Sequence, residues 1–128
     1  MQKYKNISAL IVDDVANMRS FLMSSLRSID MLHLRDAANA AEGMRMYQEK
    51  RPDIVFLDLD MPDISGLAML RSVKHKDPSA FVVIVSGESK KENVKEALKL
   101  GAKGFIVKPY NMTKVIAMLD KVLESKKK

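Results

Sequence analysis

A chain of 128 residues with 47% hydrophobic and 30% charged residues is the size of one soluble domain with a buried core. The absence of cysteine excludes disulfides and thiolate metal sites, no apolar run approaches the roughly 20 residues that span a bilayer, and the opening MQKYKNISALIVDD lacks a signal-peptide layout. The net charge of +6 is confined to the end of the chain: residues 1–89 carry 11 Lys+Arg against 12 Asp+Glu, a balance of −1, and residues 90–128 carry 11 against 4, a balance of +7. The expectation is a single cytoplasmic domain over residues 1-128, without membrane insertion.

In chain order, ISALIV (7–12) is a fully buried strand. Apolar positions 15, 18, 22, 26 and 29 then follow helical spacing. LHLRDA (32–37) alternates like a strand near a sheet edge, and Ala40 to Lys50 has a helical composition that Pro52 ends. DIVFLD (53–58) is the next buried strand, Ser65 to Lys76 a helix stopped by Pro78, and AFVVIV (80–85) the most apolar run of all. SKKENVKEALKLG (89–101) is a helix with Ser89 as N-cap and Gly101 just past its end. KGFIVK (103–108) is a fifth strand, and positions 112, 115, 116, 119, 122 and 123 mark a last helix. Five β-α units with near-continuous apolar strands imply an α/β fold, a doubly wound parallel sheet covered by helices on both faces. Such sheets bind ligands beyond the carboxyl ends of their strands.

The polar residues gather at those ends. Asp13 and Asp14 follow the first strand, Asp58 ends the third with Asp60 just beyond, Ser86, Gly87 and Glu88 follow the fourth, and Lys108 ends the fifth. Crowded carboxylates repel one another, and a hard divalent cation such as Mg²⁺ relieves that repulsion; without a His/Cys cluster zinc is disfavoured. Lys108 offers a point charge for a phosphate oxygen, Ser86 a hydroxyl, and Gly87 a close backbone approach. No Walker or G-x-G-x-x-G motif is present to hold a nucleotide, so a phosphoryl group is better carried on the protein itself, on an Asp nucleophile. Taken singly, each feature has a plainer reading: Asp13 and Asp14 as helix caps, Lys108 as a surface lysine, Ser86-Gly87 as a turn, His33 and His75 as structural or solvated, and the ten methionines as core.

Four motifs in order, VDD (12–14), DLDMPDISG (58–66), SGE (86–88) and KPY (108–110), give the whole chain a resemblance to response-regulator receiver domains. VDDVANMR and SKKENVKEALKLGAKGFIVKP look most like the single-domain chemotaxis regulators of the CheY type. The resemblance implies a five-stranded flavodoxin-like sheet in the order 2-1-3-4-5 with five helices. It also implies that Asp58 is the phosphoacceptor, that Asp14 and Asp58 ligate Mg²⁺ (or Mn²⁺) directly, that Asp13 holds it through water, and that the Asp60 carbonyl completes the protein ligands. Lys108 would pair with phosphoryl oxygens, Ser86 and Phe105 would be the switch pair, Lys108–Pro109 would be cis, and Pro62 and Gly66 would form the turn beyond the acceptor. Asp60 and Glu88 place extra carboxylates where a hydrolytic water would sit.

On this reading a sensor histidine kinase supplies the phosphoryl group, and the protein is a phosphoacceptor assisting its own phosphorylation and dephosphorylation rather than an enzyme. Phosphorylation would repack the helix 4–strand 5–helix 5 face, where the charge excess on Lys90, Lys91, Lys95 and Lys99 beside Phe105 suggests an acidic output partner such as a flagellar motor switch. Direct nucleic-acid binding is disfavoured, because residues 90–128 contain no arginine and only two aromatics, Phe105 and Tyr110. Beside a phosphorylation-independent interaction module of the same fold, disfavoured because every matched position holds a chemically competent residue, two other readings compete. One is a receiver excised from a multidomain regulator such as a transcription factor. The other is a haloacid-dehalogenase-like phosphatase, whose D-x-D is mimicked by Asp58-Leu59-Asp60 but follows the first strand rather than the third.

Overall fold

The computed structural model describes residues 3–61, 66–87 and 91–126. The elements alternate: β1 (Ser8–Val12), α1 (Ala16–Arg27), β2 (His33–Ala37), α2 (Ala40–Glu49), β3 (Ile54–Asp58), α3 (Gly66–Lys76), β4 (Val82–Ser86), α4 (Lys91–Lys99), β5 (Gly104–Val107) and α5 (Met112–Lys126). The strands form one parallel sheet in the order β2-β1-β3-β4-β5, the order implied by the sequence resemblance.

Side-chain alternation along the strands separates two apolar layers. Leu10, Val12, Val55, Leu57, Val82 and Ile84 pack with Met69, Leu70, Val73 and Ala97 on the side of α2, α3 and α4. Ala9, Ile11, Ile54, Phe56, Val83 and Val85 pack with Leu22, Leu26, Val115, Leu119 and Val122 on the side of α1 and α5. The central strands read as unbroken apolar runs because both of their faces are covered. Tyr4 anchors the segment before β1 to the second layer: its ring is buried, and its hydroxyl donates to Asp120 Oδ1 of α5 at 2.7 Å.

Local chemistry sets several boundaries. Asn39 caps α2, its side-chain oxygen accepting from the Glu42 amide at 2.8 Å. After α4, Gly101 takes φ 107°, its amide bonds the Leu98 carbonyl, and the Ala102 amide reaches back to Ala97. This is a Schellman stop, which the glycine makes easy. The helix read from 89 to 101 is thus shorter, Lys91–Lys99, and Ser89 lies outside the described residues. The strand read at 80–85 is displaced to Val82–Ser86. The Ala80 amide is engaged by the Asp77 carbonyl in the preceding turn, whereas Ser86 pairs with Val107 in the sheet.

Candidate functional site

β3 carries Asp58 into the site by simple alternation. The residue continues the face of Ile54 and Phe56 and lies in register with Val85. It is 2% exposed; Asp13 and Ser86 are the other buried polar side chains among the described residues. Asp58 Oδ1 accepts from the Asp60 amide at 2.9 Å, and Oδ2 faces Lys108 Nζ at 3.4 Å. The same ammonium lies 2.7 Å from Asp13 Oδ2. Asp14 is exposed, yet Asp13, Asp14 and Asp58 can each present a carboxylate oxygen within 4.8 Å of the others.

Asp13 also serves the backbone, its Oδ1 accepting from the Val15 amide at 2.9 Å, but neither Asp13 nor Asp14 caps α1, whose N-cap position is Val15 and which has no side-chain cap. Arg19, one turn into α1, braces the loop by donating to the Asp13 carbonyl at 2.7 Å and to Asp36 Oδ2 at 2.9 Å. Arg19 was not singled out from sequence. Tyr110 was also missed as part of the site: it is buried, and its ring stacks on Phe21 with centroids 6.4 Å apart.

Burial is the largest influence on Asp58 and, with the Asp13 charge, pushes its pKa up to about 6 against the opposing Asp60 amide and Lys108 ammonium. Burial tends to lower the Lys108 pKa, but the Asp13 and Asp58 carboxylates outweigh it and hold it above the ordinary lysine value. Tyr110 is raised by burial and by the same two carboxylates. Among the described residues the site therefore holds more negative charge than the Lys108 ammonium balances.

That surplus fits a hard cation. Asp13 Oδ2 is buried and has no hydrogen-bond donor in regular geometry beyond its ion contact with Lys108. An all-oxygen donor set of Asp13, Asp14 and Asp58 suits Mg²⁺ or Mn²⁺.

Ser86 closes β4 beside this cluster, and its hydroxyl donates to Asp60 Oδ2 at 2.9 Å. Lys108–Pro109 is cis. Gly66, buried at the start of α3, lies directly against the carbonyl of Asp58. At Gly87, by contrast, an added Cβ would meet only Lys108 Cδ, at 4.0 Å, so space alone does not require glycine there. Phe105 is half-buried on the α2–α4 side of β5, with Val107 exposed next along that face. Lys95 and Lys99 are exposed on α4. Pro62, Glu88, Lys90 and the side chain of Lys91 lie outside the described residues. At the opposite end of the sheet a cleft of about 280 Å³ is lined by Arg51, Asp53, Ser79, Phe81 and Lys126. Its cations are already matched, Arg51 with Asp77 and Lys126 with Asp53.

A parallel α/β sheet thus brings acids, a lysine and a hydroxyl together at its carboxyl edge. Residues 9–120 match the response regulator receiver domain, and the chain belongs to that family. It is 39% identical to the chemotaxis protein CheY of Listeria monocytogenes over 115 residues, covering 90% of this chain and 97% of that protein. It is 37% identical to the chemotaxis protein CheY of Thermotoga maritima, covering 88% and 94% of the two chains. Among solved structures, a chain of the CheX-CheY-BeF3-Mg complex of Borrelia burgdorferi superimposes with a TM-score of 0.83 at 33% identity, covering 91% of this chain and 89% of that one. The phosphatase alternative is set aside by this membership. Among the described residues, no helix is long and apolar enough to cross a membrane.

Proposed function

We propose that this chain is a single cytoplasmic receiver domain whose Asp58 accepts a phosphoryl group from a sensor histidine kinase, and that its most fitting setting is chemotaxis or flagellar motor control. The observation that carries the reading is the meeting of the Asp13, Asp14 and Asp58 carboxylates with Lys108 bridging Asp13 and Asp58. Asp13, Asp14, Asp58 and the Asp60 carbonyl would hold Mg²⁺, which when bound offsets the charge of the acids and of the phosphoryl oxygens.

The protein's own groups account for the rest. The Asp60 amide fixes the Asp58 carboxylate, and burial keeps bulk water from its far side. A carboxylate oxygen of Asp58 attacks phosphorus as the P–N bond of the donor histidine breaks. The imidazole leaves with that electron pair and takes up a proton. Lys108 gives the phosphoryl oxygens a cation without having to be recruited. Water later attacks phosphorus, the P–O bond to Asp58 breaks and inorganic phosphate leaves, which restores the carboxylate, so the protein resets without acting on a separate substrate. The Ser86 hydroxyl turns to the new oxygens and Phe105 follows, altering the surface of α4, β5 and α5.

Incubation with acetyl phosphate and Mg²⁺ is expected to raise the intact mass by one phosphoryl group, with acid-stable, base-labile chemistry typical of an acyl phosphate. An unchanged mass, together with no binding of beryllium fluoride, would end this reading. The basic excess of the last third supports an acidic output partner. Lys95→Glu with Lys99→Glu is expected to weaken binding to an acidic motor-switch peptide by about tenfold at low salt, with the gap closing as salt rises. Acetyl phosphate labelling should be unchanged in that variant. Equal affinity across the salt series would remove α4 from the docking face.

A further inference from the structure

The geometry points to Asp60 as a resting-state latch on the switch hydroxyl, an inference that rests on the phosphoacceptor reading of Asp58. Asp60 makes two contacts of opposite kind: its amide donates to Asp58 Oδ1 at 2.9 Å, and its carboxylate accepts from Ser86 Oγ at 2.9 Å. One residue therefore ties the acceptor strand β3 to the end of β4, across 26 positions of sequence.

A serine hydroxyl has a single proton to donate. In the resting protein that proton is directed at Asp60. Once Asp58 carries a phosphoryl group, the same proton is wanted by the phosphoryl oxygens, so Asp60 and the phosphoryl group compete for Ser86. The switched state is reached only when Asp60 lets go. Ser86 is 2% exposed and cannot bond water freely instead, whereas Asp60 is exposed and its released carboxylate can turn to solvent. The Asp60–Ser86 bond is made in one state and broken in the other, so its strength enters directly into the equilibrium between them. Asp60 is a positioning residue here: it acts through Ser86 rather than on phosphorus.

Two measurements test the latch. With beryllium fluoride and Mg²⁺ as the probe, followed by NMR, Asp60→Ala is expected to tighten apparent binding about three- to tenfold, the range of a partly exposed hydrogen bond to a charged group. In a Ser86→Ala background the same change should have no effect, since the latch is already gone. Asp60→Asn, which keeps an acceptor oxygen without the charge, should fall between. An equal gain in both backgrounds would assign the effect to charge repulsion alone and overturn the latch, as would no gain in either. Without any probe, Hα–Hβ couplings should give Ser86 the same χ1 populations in the natural protein and in Asp60→Asn, and shifted populations in Asp60→Ala. Unchanged populations in Asp60→Ala would overturn the latch whatever the probe does. If beryllium fluoride bound no variant, the natural protein included, the phosphoacceptor reading would fall and the switching role with it, while the couplings would still decide whether Asp60 holds Ser86.

Discussion

Asp58→Asn is expected to abolish labelling by acetyl phosphate and, at the same time, to make the metal-free protein more stable at neutral pH. The two effects share a cause. Asp58 is buried among acids, and its carboxyl titrates near 6 in the fold against an ordinary value of 3.8. The folded protein thus binds more protons than the unfolded chain between about pH 4 and 6. Stability contributed by this group is greatest below that window and falls as pH rises through it. Asparagine keeps the size of the side chain, removes the charge and can still accept from the Asp60 amide. Exposed Asp14 and Asp60 keep one side of the site wet, which reduces the gain, so a stabilisation of roughly 1 kcal/mol is expected at pH 7.5 in EDTA. Urea unfolding of both proteins at pH 4 and 7.5 measures it: the difference should shrink at pH 4, where natural Asp58 is largely protonated. Labelling that survives Asp58→Asn would move the acceptor elsewhere. A variant less stable at both pH values would show that the carboxylate's contacts outweigh its burial.

Gly66→Ala should cost about 3 kcal/mol, large for the addition of one methyl group. An ideal Cβ at this position would sit 2.5 Å from the Asp58 carbonyl oxygen and 2.8 Å from the Leu59 Cα. Both are backbone atoms of the acceptor segment, and that segment is held by β1 on one side and β4 on the other, so it cannot step aside. The start of α3 must shift instead, or Asp58 must be displaced. Misplacement of a reacting group by an ångström can cost on the order of 100-fold in rate, so labelling should slow along with the loss of stability. Gly43→Ala provides the contrast. Its added Cβ would meet side-chain rather than backbone atoms, Val12 at 2.9 Å and Met69 at 3.2 Å; the methionine can give way, while the stiffer valine must shift by a few tenths of an ångström. It should cost nearer 1 kcal/mol and leave labelling intact. Equal urea midpoints for the two variants would contradict the close approach of α3 to β3.

The sheet was legible because its central strands carry apolar residues without interruption. That pattern has few solutions once helical segments intervene, and the acids at the strand ends then fall at one edge. Strand ends were less legible. Ala80 and Phe81 are as apolar as Val82, and nothing in their chemistry reveals that the Asp77 turn claims the Ala80 amide. Ser86 reads as a turn residue, yet its pairing with Val107 keeps it in the strand. The side chain of Asp60 was the least legible of all. Its neighbour in space is Ser86, so the question of whether it meets water, phosphate or protein could not be answered from local sequence. Arg19 escaped for the same reason, since its two acceptors come from the ends of β1 and β2.

Tyr4 has a practical consequence. Its ring is sealed into the layer formed by α1 and α5 and its hydroxyl is tied to Asp120, so the segment ahead of β1 rides with the final helix. A fluorophore or spin label placed on Lys3, which itself lies 3.1 Å from Asp120, would report displacements of that helix.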